Sequence, residues 1–213
     1  MELFHITLLR HGESHGNAAG FIQGQKDYPL TEKGRAQAQA LAAFWQLEET
    51  QFHRVIASPL SRARETAQTV ASGLGLEVEC DPAWMERCFG NYEGKNLGEI
   101  GQDADPVNLF HPYHPIGQTG ESMLDLYLRA SQAVQGLLRH PTGHYLVVSH
   151  GAILNMAMYA ILGLSPLGSY NSPRFRFGNT AYASLTYDPI QHQWALIGFR
   201  NPWLTISVGE KES

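Results

Sequence analysis

The sequence predicts a three-layer α/β/α sandwich built on a mostly parallel central sheet. Three observations predict it. Short apolar runs alternate with stretches of helical period, the pattern of successive strand–helix units. The first run, Phe4 to Leu9, is apolar nearly throughout, as a central strand covered on both faces requires. Two of the runs end in the same dipeptide, His11-Gly12 after the first and His150-Gly151 after the run Tyr145 to Val148.

Each element then follows in order. Residues 11–30, rich in Gly, Asn, Gln and Asp, read as a functional loop. Thr31 reads as the N-cap of a helix reaching about Leu47. Ala38, Leu41, Ala42 and Trp45 fall at helical spacing and give that helix one buried face. Arg54 to Ala57 is a short strand, and Leu60 to Leu74 a second helix closed by Gly73 and Gly75. Leu76 to Cys80 is a further short strand. Residues 81–120, with Pro106, Pro112 and Pro115 among many glycines, read as loops. Glu121 to Arg139 is a long helix carrying Leu124, Tyr127, Leu128, Val134, Leu137 and Leu138. Gly151 to Leu162 is the helix after the second His-Gly pair. Residues 180–187 and 193–199 alternate as two antiparallel strands joined around Asp188-Pro189. From about Val208 the chain reads as a frayed tail. Neither an internal repeat nor a low-complexity tract interrupts the pattern, so residues 1–213 are expected to form a single domain.

The composition bounds what this fold does. The chain has 213 residues, 43 % of them hydrophobic, enough for an ordinary globular core. Its formal net charge of −5 argues against general binding to nucleic acid or anionic membrane, which calls for a basic surface. Two cysteines, Cys80 and Cys88, make no disulfide framework and suit a reduced compartment. The N-terminus enters a strand at once, with no basic segment before an apolar one, and no run is long enough to span a membrane. The expected location is therefore the cytoplasm. The sequence leaves the oligomeric state open.

Two histidines at the C-terminal ends of two buried strands can meet over one crevice, where open α/β sheets bind ligands. Arg10 sets a fixed positive charge beside the first histidine, which suits an anionic substrate, most simply a phosphate.

The stretch LLRHGESHGN (8–17) resembles the histidine phosphatase superfamily, the phosphoglycerate-mutase-like fold. Three further segments carry the resemblance in family order: ASPLSRARETAQ (57–68) with Arg62, MERCFGNYEG (85–94) with Glu86, and VVSHGAILN (147–155) with His150. TGES (119–122) also fits. Two departures matter. Gly16 stands where many members have tryptophan, and the paired arginines that hold the substrate carboxylate in the glycolytic mutases are not evident. Arg174 and Arg176, either side of Phe175, could hold a second anionic group and keep a mutase possible.

The chemistry can be read from the residues themselves. Phosphoryl transfer asks for an in-line nucleophile, neutralisation of three equatorial oxygens, and a proton for the leaving group. His11 is expected as the nucleophile, forming a covalent phosphohistidine. Arg10 and Arg62 can each donate paired hydrogen bonds to phosphate. His150, if protonated, is a further donor, and the Gly151 amide at a helix start favours an anion. Glu86 is expected to protonate the leaving oxygen and then activate water. The resemblance adds Asn17 and Gln23 as phosphate-side contacts. Glu13 and Glu93 read as structural acceptors.

The expected activity is a metal-independent phosphomonoester hydrolase acting on a small phosphorylated metabolite. The arginines supply the charge a metal would otherwise bring, so no cofactor is expected. The rivals are a phosphoglycerate-type mutase and a non-catalytic phosphate-binding or interaction module. Bland readings stand beside each residue: a strand-end loop pair for Arg10-His11, a core histidine for His150, a solvated helix cation for Arg62, a surface glutamate paired with Arg87 for Glu86. His111 and His114 invite a metal, but the flanking prolines deny them a helix. Residues about 100–118, with Phe110 and Tyr113, read instead as a lid that selects the substrate. Cys88, two residues after Glu86, reads as an inert thiol.

Overall fold

The computed structural model describes residues 2–100, 111–166 and 173–202. Six strands, β1 (Phe4–Arg10), β2 (Arg54–Ala57), β3 (Val78–Cys80), β4 (His144–Ser149), β5 (Tyr182–Asp188) and β6 (Gln193–Arg200), form one sheet in the order β3-β2-β4-β1-β5-β6. β1 to β4 run parallel, and β5 runs antiparallel to both β1 and β6. The helices are α1 (His15–Ala18), α2 (Glu32–Leu47), α3 (Ser61–Ser72), α4 (Leu97–Ile100), α5 (Met123–Leu137) and α6 (Gly151–Leu162). This is the expected α/β/α sandwich.

Strand alternation sorts the core into two layers. Ile6 and Leu8 of β1 and Val147 of β4 pack with Leu126 and Ala130 of α5 and Leu154 and Met158 of α6. Leu9, Leu146 and Val148 point the other way, against Leu41 and Trp45 of α2 and Val70 of α3. The chain therefore leaves β1 towards one face of the sheet and leaves β4 towards the other. Such divergence between neighbouring parallel strands opens a crevice at their C-terminal ends. β1 and β4 pair in register up to Arg10 opposite Ser149. His11 and His150 each stand one residue beyond that last rung.

Caps explain where the elements differ from expectation. α3 begins at Ser61 because Leu60 is still extended, and Gly73 follows its last residue. α5 is shorter than predicted at both ends. Ser122 caps it, accepting from the Asp125 N–H, while the Asp125 carboxylate accepts from Ser122. Glu121 is thus left outside the helix. The same device, Ser14 with Asn17, nucleates α1 inside what reads in sequence as continuous loop. Leu128 lies half exposed, off the buried row Leu126, Ala130, Ala133 and Leu137. β5 and β6 turn at Asp188, whose Oδ1 accepts from the amides of Ile190 and Gln191. Among the described residues, no helix is long and apolar enough to cross a membrane. The expected lid falls largely on residues 101–110, and Phe110 and the tail from Val208 also lie outside the described residues.

Candidate active site

The site begins where β1 runs out. The His11 amide donates to Ser149 O at 3.0 Å, and the Thr180 amide donates to both Arg10 O and His11 O at 3.1 and 3.3 Å, so the strand end is held from both sides. Thr180 does so at φ 56, a conformation that a β-branched residue resists. α2 closes against the same loop. A Cβ at Gly12 would lie 2.5 Å from Gly34 O, and one at Gly34 would lie 2.0 Å from Glu13 O. Only glycine allows that approach at either position.

The loop fixes His11 chemically as well as sterically. Nδ1 lies 2.6 Å from Gly12 O. A carbonyl can only accept, so the proton sits on Nδ1 and the lone pair on Nε2. Burial holds the His11 pKa well below the usual imidazole value, with Arg10 and Arg62 pushing the same way. The result is a neutral ring with a defined tautomer.

His150 faces it, the ring centroids 5.0 Å apart and tilted by 59°. Arg62 Nε donates to His150 Nδ1 at 3.2 Å, and His150 Nε2 meets Ser58 Oγ at 2.8 Å. An arginine never accepts, so Nδ1 is the unprotonated nitrogen and Nε2 carries the hydrogen to Ser58. Burial first, then Arg62 and His11, keep the His150 pKa well below the ordinary value. His150 is thus held as a neutral ring with both nitrogens engaged, and its expected role as a donor, conditional on protonation beside a phosphate, is not tested by this arrangement. Arg62 is itself buried at 1 % exposure, on the first turn of α3, rather than solvated. Besides His150 it donates from Nη1 to Lys26 O and from Nη2 to Gly24 O. Nη1 also lies 4.0 Å from the Asp27 carboxylate. Arg10 donates from Nη1 to Phe177 O at 2.7 Å, while its Nε is buried with no hydrogen-bond partner among the described residues.

Glu86 reaches the same crevice from the loop before α5. Its carboxylate accepts from the amides of Ala152 (3.1 Å) and Ile153 (3.2 Å) on the first turn of α6, and from the Arg87 amide (2.9 Å). A Cβ placed on Gly151 would lie 3.9 Å from Arg10 Nε and 4.0 Å from Glu86 Oε2, so these groups converge on the start of α6. The Arg87 side chain does not pair with Glu86. It is buried, donates to Glu121 O, and burial pushes its pKa down to about 10.

The remaining residues divide. Asn17 Oδ1 accepts from Asn179 Nδ2, which also donates to His11 O, so Asn17 is tied to the His11 strand end. Gln23 lies behind it, accepting from Ser14 Oγ at 2.7 Å. A Cβ on Gly16 would come within 2.4 Å of Gln23 Cγ, so this Gln23 placement leaves no room for a tryptophan there. Glu13 accepts from Thr31 Oγ1 and Lys33 Nζ, and Glu93 from the amides of Gln25 and Phe89, both in structural roles. His111 Nδ1 accepts from the amides of Tyr113 and His114, forming a local turn. Burial pushes the Cys88 thiol up, away from reactivity.

The sequence and the fold have counterparts in known proteins. The chain matches the histidine phosphatase superfamily (branch 1) over residues 6–200. It belongs to that superfamily. The probable phosphoglycerate mutase GpmB of Escherichia fergusonii is 33 % identical over 98 % of this chain and 94 % of its own length. Phosphoserine phosphatase from Entamoeba histolytica, solved in complex with 3-phosphoglyceric acid, is 28 % identical, with a TM-score of 0.78 over 94 % of this chain and 98 % of its own. Mycobacterial glucosyl-3-phosphoglycerate phosphatase, solved with VO3, is 28 % identical, with a TM-score of 0.77 over 91 % of this chain and 96 % of its own.

For a histidine phosphatase chain, several site residues escaped sequence reasoning. Ser58 sits inside the quoted segment 57–68 yet drew no role, because nothing local says that its hydroxyl meets His150. Asn179 and Thr180 come from a distant loop. Arg129 left one trace: it falls in the helical rows of Leu126 and Ala133, where a cation needs a reason.

Proposed function

We propose that the chain is one catalytic domain that hydrolyses phosphomonoesters of small metabolites through a phosphohistidine on His11, without a metal. The observation that carries this reading is the pair His11–His150, ring centroids 5.0 Å apart, with His11 Nε2 left as a lone pair beside Arg10 and Arg62. An imidazole of that tautomer can attack phosphorus at once, with no proton to lose first. Arg10 Nε, which has no hydrogen-bond partner among the described residues, and the guanidinium of Arg62 supply donors to equatorial oxygens. When a phosphate dianion enters, its charge offsets the neighbouring arginines; if Arg62 Nε turns from His150 Nδ1 to the phosphate, Nδ1 is freed to take a proton and His150 joins them. Glu86 then protonates the leaving oxygen and, in the second half-reaction, takes a proton from water attacking phospho-His11. Asn17 and the Gly151 amide complete the phosphate side, with Gln23 packed behind. Tyr113, 60 % exposed, is the described aromatic of the expected lid and the side chain we assign to substrate choice.

A mutase is the second reading, favoured by the 33 % identity to a probable phosphoglycerate mutase. It uses the same intermediate and returns the phosphoryl to a second hydroxyl in place of water. One experiment separates the two. Purified protein is given a panel including phosphoserine and 2- and 3-phosphoglycerate, with a chelator present. Phosphate release from panel members supports hydrolysis. Interconversion of the two phosphoglycerates without release supports the mutase, and loss of activity on chelation, restored by zinc or magnesium, overturns the metal-independent mechanism.

A further inference from the structure

We infer that Arg129 and Glu121 are positioning residues for Glu86, an inference that rests on the proposed acid role of Glu86. A guanidinium has five N–H groups in a rigid fork. Arg129, on α5, uses all five. Nε and Nη2 donate to the two oxygens of the Glu121 carboxylate, each at 2.7 Å. Nη1 donates to Ala83 O (3.0 Å) and Met85 O (2.7 Å), and the second Nη2 hydrogen to Glu86 O (3.1 Å). Three carbonyls of the segment that carries Glu86 are thus gathered on one side chain, which itself touches no reacting group.

Glu121 grips the other side of Glu86. Its Oε2 accepts from the Cys88 amide at 2.8 Å, its amide donates to Cys88 O at 2.9 Å, and its carbonyl accepts from Arg87 Nε and Nη2. The backbone is therefore clamped at 83–86 by Arg129 and at Cys88 by Glu121, whose carbonyl also holds the Arg87 side chain, and the two clamps are one ion pair. Between them the Glu86 carboxylate is anchored by the Arg87 amide and by the first turn of α6. Release of the clamp lets the carboxylate drift from the leaving-group side. A displacement of about 1 Å at a reacting centre can cost on the order of 10²-fold. The clamp also accounts for Glu121 lying outside α5: as a helical residue its carbonyl would be turned into the helix, away from Arg87.

The test compares Arg129→Lys, Glu121→Gln, Glu86→Gln and the double variant Arg129→Lys/Glu86→Gln, using an alkyl phosphate and an activated aryl phosphate. Lysine keeps the charge but cannot span Glu121 and three carbonyls. Positioning through Glu86 requires Arg129→Lys to lose about 10- to 100-fold with the alkyl substrate, far less in the first turnover of the aryl one, and to add nothing to Glu86→Gln. Equal losses with both substrates, or losses that add in the double variant, overturn the inference. If Glu86→Gln itself shows no leaving-group dependence, the acid assignment has failed and the positioning role falls with it. If Glu86→Gln shows it and Arg129→Lys does not, only the positioning role fails. Should Arg129→Lys not fold, Glu121→Gln, which keeps the shape and removes the charge, gives the same reading.

Discussion

At Arg62 one side chain does three structural jobs before any substrate arrives: it supports Gly24 O and Lys26 O and fixes the His150 tautomer. Lysine keeps the charge but offers its donors from a single atom. Arg62→Lys is expected to leave at least one buried acceptor unmet and to cost about 1–3 kcal/mol of stability. Activity should fall even where the variant is folded, because His150 loses the donor that fixes its tautomer. Denaturant unfolding together with phosphate release checks this, and a variant with wild-type stability and activity would contradict it. Residue identity made Arg10, His11, Arg62, Glu86 and His150 legible in the sequence, since each sits in a short motif after a strand or before a helix. Bond direction was not legible. That His150 is neutral, that Ser58 takes its hydrogen, and that Arg129 points at Ala83, Met85 and Glu86 depend on contacts between segments far apart in the chain.

At the scale of elements, periodicity and caps made most of the fold legible. Thr31 caps α2 as expected, and the strands after which the two His-Gly pairs stand are where the apolar runs put them. The ends of α3 and α5 were less so, because apolar period continues past the extended Leu60 and Gly73 that bound α3 and past Ser122, whose side chain caps α5. Close approach was also hidden, and it makes a prediction with an unusual sign. Gly34 lies in α2 and Gly136 in α5. Helix propensity alone favours alanine at both by about 1 kcal/mol. A Cβ at Gly136 meets nothing within 4 Å, whereas one at Gly34 runs into Glu13 O at 2.0 Å. Gly136→Ala should therefore stabilise by about 0.5–1 kcal/mol, and Gly34→Ala should destabilise by about 1–3 kcal/mol and impair activity, since it displaces the loop that carries His11. Thermal or denaturant midpoints of the pair decide it. A stabilising Gly34→Ala would mean that the loop gives way without consequence.

Across the whole molecule, the two core layers bury a pair of histidines where their charged forms are unwelcome. Burial and the arginines lower both pKa values in the folded state, so between the folded values and about 6.5 the unfolded chain binds more protons than the folded one. Stability from this source is complete above about pH 6.5 and is lost as pH falls below it, by about 1.4 kcal/mol per pH unit for each histidine. Denaturant unfolding at pH 7.5 and 5.5 should show the loss, and replacing both histidines with asparagine should remove most of it. An unchanged pH slope in that double variant would mean the acid sensitivity arises elsewhere, with His144, also lowered by burial and by His5 and His53, the next group to replace.

The covalent role of His11 is the claim on which the rest depends, and phosphoryl trapping tests it most directly. The protein is mixed with a labelled phosphomonoester and quenched within a turnover, in base and in acid. Phosphohistidine survives base and is lost in acid. The expected result is label retained after the base quench, lost after the acid quench, and absent in His11→Ala. Label that persists in His11→Ala, or that survives acid, would contradict it.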